Sequence, residues 1–465
     1  MLHYNTAEAY KLMHDGILAL SRAEQQGLRI DVKYIKRKKR AVTKDIIALE
    51  TEFYASKFYK DWQKSTRKPI NIYSSTQLGA FIYGIQNRKV KKQTKTGKGS
   101  TDEEALQQLN IPELNTLARI SKLKKVRDTY LDSFEREQVE GYLHPFYNLH
   151  LVVSYRSSSD SPNFQNIPIR DKEAKNAVRG AIFPRKGNQL LELDYSGIEF
   201  RIAGCYYKDE TMLKYIHDPA SDIHGFMAAK LYKVGKFNKK EPTHAFLRSA
   251  AKNGFVFPQL YGSWYKSCAV NLLCNWGGVQ KDEFVSGKGV KIGDVYLTDH
   301  LISKGIKSYA DFENHVRKIE RYFWKNIFKT GKQWQTDFWE EYQKSGVVHS
   351  YTGFTYSGVM SLNNVLNYPI QGTAFHILLW SLIEATKALT RMKFKTKIVG
   401  QIHDAIILDV YPPELEQVIK IMRCIMCSDV KQHWKWINVP LDIEADLCPI
   451  DGSWAEKQNY NIEKI

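Results

Sequence analysis

The chain has 465 residues, with 68 Lys and Arg against 50 Asp and Glu, a formal net charge of +18 and a sequence pI near 9.3. This length allows two or three subdomains around a substantial core. The six cysteines are too few for a disulfide framework, and no apolar run approaches the ~18 residues of a membrane span. The charge excess favours a polyanionic partner such as nucleic acid, although a basic surface can also serve solubility alone.

Helical periodicity dominates the first part of the chain. Apolar positions recur at helical spacing over 6–26 and 33–54, and Asp31 offers an N-cap for the second helix. That helix carries a basic face that a solvated surface would explain: Lys33, Lys36, Arg37, Lys38, Lys39, Arg40 and Lys44. Residues 87–100 have six cationic side chains and no acid. They predict a mobile loop, either a tip that grips phosphates or a disordered surface loop.

Helices and strands alternate along the rest of the chain. The expected elements are a helix over 101–134, strand and turn signals over about 145–200 with a strand at His150–Tyr155, helices over 206–345 with a Gly-rich interruption at 276–293, and a long apolar helix over 372–390. A strand runs into Asp194, and a hairpin surrounds Asp404. Strands thus come late and in two blocks separated by helices, which predicts an α+β fold with one central sheet.

Two aspartates occupy settings that can bring them together. Asp194 ends an apolar, strand-like run that begins at Gln189, and Asp404 lies where two β-type runs are joined. A carboxylate at the end of a buried strand and another at a tight hairpin can meet at a sheet edge. There they can hold divalent cations against phosphate, because hard cations prefer oxygen ligands. Taken alone, either aspartate is explained as a strand-ending or turn residue.

A helix with two cations and two aromatic rings lies between these aspartates. Arg248 and Lys252 are four residues apart on one helical face, and Phe257 and Tyr261 are also four apart but offset by one. Such a helix can clamp a triphosphate with its cations and offer a ring to a base. An ordinary amphipathic helix with exposed cations explains the spacing equally well.

Together the motifs resemble the polymerase portion of family A (bacterial polymerase-I-like) DNA polymerases, in a phage- or viral-like variant. The resembling segments are Asp194–Arg201 for motif A, Arg248–Gly262 for motif B, His403-Asp404 for motif C, Asn367–Thr373 for the start of a Gln-bearing palm helix, Arg156–Arg170 for a primer–template segment, and Ser74–Gly79 with the basic loop for the thumb. The resemblance runs from about residue 6 to Trp454 with every motif in order.

The resemblance implies an α+β right-hand fold with a thumb, an antiparallel-sheet palm and helical fingers. The implied divisions are 1–144 for the thumb with an N-terminal helix packing on the palm, 145–205 for the first part of the palm, 206–355 for the fingers and 356–465 for the second part of the palm. The implied activity is template-directed, primer-dependent DNA synthesis, which adds dNTPs to a 3′-hydroxyl by two-metal nucleotidyl transfer.

The resemblance also assigns the ionic roles. Asp194 and Asp404, with the backbone carbonyl of Tyr195, would hold two Mg²⁺ ions, for which Mn²⁺ is an alternative. One ion would lower the pKa of the primer 3′-hydroxyl, and the other would steady the leaving pyrophosphate. The triphosphate would be bound by Arg248, Lys252 and His224. Lys252 would also donate a proton to pyrophosphate.

The remaining implied roles concern the sugar, the base pair and the primer end. Glu199 would act as a steric gate under the sugar, and Phe257 and Tyr261 would lie along the nascent base pair. The residues implied to touch nucleic acid are Arg156, Gln165, Asn166, Gln371, Asn367 and His403. Those near the minor groove could test pair geometry without reading sequence, because that groove presents nearly the same acceptors for every pair.

This sequence departs from the family pattern in three places. The interval from Lys252 to Tyr261 is one residue longer than usual, which predicts a bulge or kink and leaves Val256 and Phe255 as rivals to Phe257 for the stacking role. Ala405 replaces the usual glutamate after the aspartate of motif C, and Gly197 replaces a polar residue of motif A. We expect looser fidelity from the loss of these two groups.

The expected partners are primer–template DNA and dNTPs, for a monomer in the cytoplasm, or in the host-cell cytoplasm if the source is viral. The thumb-like region begins within the first ten residues, so we expect no exonuclease in the chain and a separate exonuclease, helicase or processivity factor as candidate partners. The alternatives are a single-subunit RNA polymerase and a catalytically inactive DNA-binding accessory subunit. A carboxylate at Glu199 argues against the first, because it would block ribonucleotides.

Overall fold

The computed structural model describes residues 6–90, 94, 97–107, 109–169, 171–218, 220–235, 237–238, 240–276, 279 and 281–463. Parts of the basic loop 87–100 and Arg170 at the end of the primer–template segment therefore lie outside the described residues. Within the described part, no helix combines the length and the apolar character that crossing a membrane requires.

Fourteen strands are described in that part of the chain. In chain order they are β1 Leu28–Ile30, β2 Tyr142–Leu143, β3 Phe146–Asn148, β4 Ser158–Asp160, β5 Ile182–Phe183, β6 Gln189–Tyr195, β7 Lys291–Ile292, β8 Val295–Tyr296, β9 Val347–His349, β10 Thr355–Ser357, β11 Lys397–Ile402, β12 Ala405–Val410, β13 Ile443–Leu447 and β14 Gln458–Asn459. Five of them form the central antiparallel sheet, in the order β11-β12-β6-β13-β14.

Helices make up most of the remainder. The α-helices are α1 Thr6–Gln26, α2 Val32–Ala55, α3 Lys57–Lys64, α4 Ser75–Gly79, α5 Glu103–Gln107, α6 Pro112–Lys124, α7 Asp132–Glu137, α8 Lys172–Arg179, α9 Ile198–Tyr207, α10 Glu210–His217, α11 Ile223–Tyr232, α12 Pro242–Ala251, α13 Phe257–Leu260, α14 Tyr265–Cys274, α15 Leu297–Ser303, α16 Tyr309–Tyr322, α17 Lys329–Ser345, α18 Leu362–Arg391, α19 Leu415–Arg423 and α20 Val430–His433. Five segments are π-helical: Ala80–Ile85, Lys125–Leu131, Lys252–Val256, Phe323–Ile327 and Cys424–Asp429. Four short 3₁₀ turns are Phe164–Asn166, Lys281–Glu283, Pro412–Glu414 and Trp454–Glu456.

The middle strand of the central sheet, β6, is amphipathic. Successive side chains of a strand point to opposite faces, so Leu191, Leu193 and Tyr195 enter the main hydrophobic core. On the other face, Glu192 and Asp194 point away from that core. One face of the sheet therefore packs on the main core, while the other carries these acidic side chains beside a second core that includes Leu190.

The helices α1 and α18 cover the side of the sheet that packs on the main core. The 30-residue α18 is buried along most of its length, and α1 packs against both α18 and β11. The two helices approach closely at Gly16, where a Cβ would lie 2.7 Å from Leu379. The N-terminal helix thus packs on α18 and on the sheet region.

The next helices form a separate hydrophobic cluster. The long helix α2 packs against α6 and α7. Its buried residues Val42, Ile46 and Phe53 join a core that is distinct from the one under the sheet, whereas Ile35 joins a second core that includes sheet residues. The predicted N-cap is present, because the Asp31 side chain accepts a hydrogen bond of 2.8 Å from the backbone N–H of Tyr34. This cap fixes the point at which the chain leaves β1 and enters α2.

The strand predicted at His150–Tyr155 is wrong. This segment turns instead, with the N–H of Tyr155 donating to the carbonyl of Val152 and a φ of 55° at Tyr155. Leu151 and Val153 are 60% and 64% exposed, so the apolar pattern that suggested a strand does not bury a face. The strands lie on either side, where β3 pairs with β4.

We predict that Gly372→Ala destabilises the protein by about 1–3 kcal/mol, because overpacking at a rigid contact forces a backbone shift. A Cβ at Gly372, inside α18, would lie 2.2 Å from the Tyr356 hydroxyl and 2.6 Å from the carbonyl oxygen of Ser154. Gly84→Ala is the matched control, since nothing lies within 4 Å of its Cβ and Ala is a better helix former than Gly. Urea unfolding of both variants is the measurement; equal stabilities would contradict the prediction.

Candidate active site

The central sheet brings Asp194 and Asp404 together. In the register of β6 and β12, Asp194 lies opposite Ala405, and the N–H of Tyr195 donates a hydrogen bond of 3.2 Å to the carbonyl of Asp404. Asp404 follows His403, whose φ of 48° marks the tight hairpin between β11 and β12. The two aspartates therefore come together, as the sequence predicts, at the same end of two neighbouring strands rather than at an edge strand of the sheet.

A third carboxylate lies on the opposite side of Asp194. Glu444 of β13 is the cross-strand partner of Asp194, and cross-strand partners share a face of the sheet. Its Oε1 accepts a hydrogen bond of 2.7 Å from Ser196 Oγ. Ala405, Asp194 and Glu444 thus form one row across three strands.

Negative charge and restricted solvent raise the pKa values of both aspartates. Asp194 keeps solvent-exposed surface, but desolvation by the surrounding protein, together with its neighbours Asp404, Glu192 and Glu444, raises its pKa to about 7. Burial raises the pKa of Asp404 to about 6, against the opposing effect of Arg156. Ionising both carboxylates is therefore costly until a cation approaches.

The donor set suits hard divalent cations. Two carboxylates, with the backbone carbonyl of Tyr195 beside them, supply only oxygen ligands, which Mg²⁺ and Mn²⁺ prefer. Within the described residues, no group of three or more His, Cys, Asp or Glu side chains is arranged to hold a metal ion. Asp194 and Asp404 would thus be the principal protein ligands, with further ligands from a substrate.

An ionic chain runs from the aspartates to Tyr261. Arg156 lies 3.7 Å from Asp404 Oδ1 and 3.2 Å from Glu199 Oε1. The Tyr261 hydroxyl donates to Glu199 Oε2, and burial together with the Glu199 charge raises the pKa of Tyr261. Glu199 is therefore held between a cation and a neutral phenol, in the first turn of α9.

The predicted triphosphate-binding residues form a second cluster. Arg248 Nε donates a hydrogen bond of 2.8 Å to Asp222 Oδ2, and Asp222 also caps α11 through the N–H of Gly225. Burial and the charges of Arg248 and Lys252 lower the pKa of His224 to about 4. Burial and Arg248 also lower the pKa of Lys252, and Glu444 opposes that shift. Glu444 is thus close enough to influence both the cation cluster and Asp194.

A π-helical segment takes up the extra residue that the sequence shows after Lys252. The segment spans Lys252–Val256 and joins α12 to α13. One additional residue in a π-turn rotates the next helix relative to an uninterrupted α-helix. As a result, Lys252 Nζ lies over the Phe257 ring, 5.4 Å from its centroid. The Phe257 ring centroid is 5.7 Å from that of His224 and 6.0 Å from that of Tyr261, on which Phe257 stacks.

The two rivals of Phe257 point into the core. Both Phe255 and Val256 have no exposed surface, and Phe255 packs edge-on against Phe323. Phe257 is the only residue of the three that keeps partial exposure and contacts the cation cluster. The geometry therefore favours Phe257 as the ring available to a substrate.

Gln165 belongs to a third polar cluster, centred on a residue that the sequence patterns did not single out. The buried Gln401 of β11 accepts hydrogen bonds from Gln165 Nε2 at 2.7 Å and Ser157 Oγ at 2.8 Å. Its own Nε2 donates to the carbonyl of His403 at 2.6 Å. Gln401 thus links the predicted primer-contacting segment to the hairpin that presents Asp404.

The other residues predicted to touch nucleic acid are more dispersed. Gln165, Asn166 and His403 line a crevice of about 890 Å³ between α6 and the sheet region. Asn367 and Gln371 lie on α18, and the buried Oδ1 of Asn367 has no hydrogen-bond partner among the described residues. The structure therefore gathers three of these residues at the crevice, and the α18 pair does not line it.

Sequence patterns missed Asp222, Gln401 and Glu444 as members of the site. Asp222 and Gln401 each precede a predicted site residue by two positions, and Glu444 lies in a short β-type run near the C-terminus. Their roles depend on side-chain contacts across the fold, which spacing along the chain does not report. The Asp222-Ile-His224 spacing was the one available signal for Asp222.

The family model of DNA polymerase family A matches residues 33–281 and 316–456, most of the chain. The chain belongs to DNA polymerase family A. Residues 282–315, which include β7, β8 and α15, fall between the two matched segments.

Bacterial DNA polymerase I proteins are among the relatives. The chain is 26% identical over 447 residues to DNA polymerase I of Pseudomonas aeruginosa, covering 94% of this chain and 43% of the relative. It is 24% identical over 444 residues to the thermostable DNA polymerase I of Thermus aquaticus, covering 92% and 46%. The chain thus spans less than half the length of these curated relatives.

A solved structure shares the fold. The POL domain of Pol1 from M. smegmatis, in a complex with DNA primer-template and dNTP, matches with a TM-score of 0.73 at 22% identity, covering 96% of this chain and 70% of that one. The fold is accordingly the α+β right hand of a family A polymerase domain.

We predict that Asp194→Asn stabilises the metal-free protein at pH 8 by about 1 kcal/mol, a figure reduced for solvent access to the cleft. The folded-state pKa of about 7 exceeds the ordinary value of 3.8. The folded state therefore binds more protons between these values, and stability falls as pH rises through that window. The gain from Asn should shrink towards zero at pH 4.

Urea unfolding with a chelator, from pH 4 to pH 8, measures this effect. Asp61→Asn, on an exposed face of α3, is the matched control and should show no such trend. Added Mg²⁺ should stabilise the parent and leave Asp194→Asn nearly unchanged. A gain at pH 8 that persists undiminished at pH 4 would contradict the assigned pKa.

Proposed function

We propose that this chain is a template-directed, primer-dependent DNA polymerase that adds dNTPs to a 3′-hydroxyl by two-metal nucleotidyl transfer. The observation that carries the proposal is the pairing of Asp194 with Asp404 across β6 and β12, beside a helix that presents Arg248, Lys252 and Phe257. Family membership and the polymerase-domain fold support it.

We assign the thumb to 1–144, with α1 packed on the palm, the palm to 145–205 and 356–465, and the fingers to 206–355. The separate core formed by α2, α3 and α6 supports the first division. The central sheet supports the division of the palm, because β6 precedes residues 206–355 in the chain and β11 to β14 follow them.

Asp194 and Asp404, with the carbonyl of Tyr195, are the proposed ligands of two Mg²⁺ ions. When bound, these ions supply positive charge that lowers the pKa of the primer hydroxyl and stabilises the leaving pyrophosphate. The protein's contribution is to hold the carboxylates rigidly. The backbone carbonyl of His403, just before Asp404 in the hairpin, accepts a hydrogen bond from Gln401. The Tyr195 side chain is fixed by hydrogen bonds of its hydroxyl with Ser381 and with the carbonyl of Met426.

The cation cluster is the proposed triphosphate site. Arg248 would exchange its bond with Asp222 for phosphate oxygens, and neutral His224 would donate or accept a hydrogen bond without adding charge. A Lys252 with a lowered pKa is a better proton donor to pyrophosphate than an ordinary lysine. Phe257 would stack on the incoming base pair.

Glu199 is the proposed steric gate under the sugar, held by Arg156 and Tyr261. Residues proposed to contact the primer end and template are Arg156, Gln165, Asn166, Asn367, Gln371 and His403. Primer–template DNA and dNTPs are the proposed partners. A monomeric state, a phage source, a cytoplasmic location and a separate exonuclease, helicase or processivity factor stay predictions from the sequence.

We predict that Asp404→Asn lowers the rate of primer extension by about 10³-fold or more, because a ligand of both ions loses its charge. Binding of primer–template DNA should persist, since the cleft cations are unchanged. The measurement is single-turnover extension with Mg²⁺ and, in parallel, fluorescence anisotropy of labelled DNA.

The same extension assay separates the two alternatives. An inactive accessory subunit would bind DNA but show no synthesis in the parent protein. A single-subunit RNA polymerase would extend the primer with ribonucleotides, whereas a polymerase gated by Glu199 would use them far more slowly than dNTPs. If the parent extends the primer with dNTPs and Asp404→Asn does so at the same rate, the proposed site is refuted.

We predict that Phe257→Ala raises the KM for dNTP by about 10-fold, because loss of base stacking costs about 1–3 kcal/mol. Its thermal stability should change little, since Phe257 is only partly buried. Phe255→Ala and Val256→Ala are matched controls. They should destabilise the fold, by about 3–5 kcal/mol for Phe255, with KM unchanged. A rise in KM for Val256→Ala alone would transfer the stacking role to Val256.

A further inference from the structure

The outer face of α2 carries a stripe of cations that the proposed catalysis does not use. Five exposed residues recur at intervals of three and four: Lys33, Lys36, Arg37, Arg40 and Lys44. At 3.6 residues per turn they occupy about one third of the helix circumference, and they span about 17 Å of its axis. We name this set the α2 stripe.

The α2 stripe does not line the crevice that contains His403, the neighbour of Asp404. The opposite face of α2 packs against α6 and α7 through Ile35, Val42, Ile46 and Phe53. The crevice itself is lined by α6 residues, such as Lys122, and by the sheet region; among the described residues, none from α2 lines it. The stripe is therefore a surface separate from the proposed primer site.

A shallow groove lies along the stripe, so the charged surface is also concave. The groove, of about 680 Å³, is lined by four cations and one carboxylate: Lys36, Lys39, Arg40, Lys44 and Glu135, together with Thr43 and Ile47. A concave surface with several cations and a hydroxyl donor suits phosphate oxygens.

Most of the stripe has no internal counter-charge. Lys39 pairs with Asp132 and Glu135, and Lys36 lies 3.9 Å from Glu135. In the described part of the chain, the other four stripe cations form no ion pair: Lys33, Arg37, Arg40 and Lys44.

The spacing of the stripe works against helix stability. Like charges four residues apart repel, and the stripe contains three such pairs: Lys33 with Arg37, Lys36 with Arg40, and Arg40 with Lys44. No acid of α2 lies within the stripe to relieve them. A polyanion bound along the helix would remove this repulsion.

We propose that the α2 stripe binds the sugar–phosphate backbone of nucleic acid outside the catalytic cleft. The inference rests on the proposed DNA-polymerase function. A strand advances 3.4 Å per phosphate along a duplex axis, so a stripe of about 17 Å reaches about five phosphates. The strand is either the duplex leaving the cleft or the single-stranded template, which offer the same phosphodiester chemistry.

The test uses the full chain and the variant K33Q/R37Q/R40Q/K44Q. The matched control R391Q/K393Q/K420Q/R423Q removes four exposed cations from α18, its C-terminal loop and α19. Gln keeps helix propensity, and thermal unfolding verifies that both variants fold. Fluorescence anisotropy at several salt concentrations measures the Kd for three DNAs: a short primer–template hairpin, the hairpin with about two further helical turns of duplex, and the hairpin with about 20 further nucleotides of template.

The stripe variant should bind the short hairpin like the parent. On one of the longer DNAs its Kd should rise about 5–10-fold, and the slope of log Kd against log salt should fall by about 3, since each lost phosphate contact removes about 0.9. The affected DNA identifies the strand that the stripe contacts. The control variant should match the parent on all three.

Equal affinities of stripe and control variants on every DNA would overturn the proposal. An equal rise in Kd for the short hairpin would overturn the proposal too, because the stripe would then contact the same DNA as the proposed primer site. Loss of binding to phosphatidylserine vesicles with DNA binding intact would assign the face to a lipid surface instead. Failure of the parent to bind and extend the short hairpin would refute the proposed function, and that result is independent of the stripe.

Discussion

The position of β6 between β12 and β13 is the constraint on which the rest of the site depends. Antiparallel pairing sets Asp194 opposite Ala405 on one side and Glu444 on the other. Because the side-chain period of a strand is two, a slip of one residue would turn Asp194 into the hydrophobic core. The apolar side chains on the other face of β6, packed beneath α18, make that slip costly. Burial of one face therefore fixes the chemistry of the other.

The same arrangement gathers negative charge that the protein only partly balances. Arg156 lies beside Asp404 and Glu199, yet the pKa values of Asp194 and Asp404 stay raised, to about 7 and about 6. A site held in this condition is poised to bind cations, because a bound ion removes the repulsion that folding has imposed. Arg248 and Lys252 show the opposite condition, because they gather positive charge and suit an anion. The two clusters therefore have opposite electrostatic preferences on neighbouring parts of the fold.

Helical phase controls which side chains lie beside the cation cluster of Arg248 and Lys252. The π-helical segment Lys252–Val256 takes up one residue, so Phe257 and Tyr261 stack on each other while Phe255 and Val256 enter the core. A regular α-helix through the same sequence would present a different set of side chains, because each added residue rotates the downstream part of a helix by about 100°. The π-helical segment thus accommodates the additional residue, because its hydrogen-bonding pattern takes one more residue per turn than an α-helix does.

Sequence periodicity alone determined the long elements: α1, α2 with its Asp31 cap, the strand ending at Asp194 and the hairpin at Asp404. Motif order pointed to the family, because charged and aromatic residues at set spacings are visible without a fold. The same reasoning misplaced a strand at His150–Tyr155, where short apolar alternation proved insufficient without a partner to bury it. Only the tertiary structure decided that Phe257 is the available ring, that Asp222 holds Arg248, and that Gln401 and Glu444 complete the site. These assignments rest on contacts between segments far apart in the chain, and such contacts form only when burial and strand register bring the segments together.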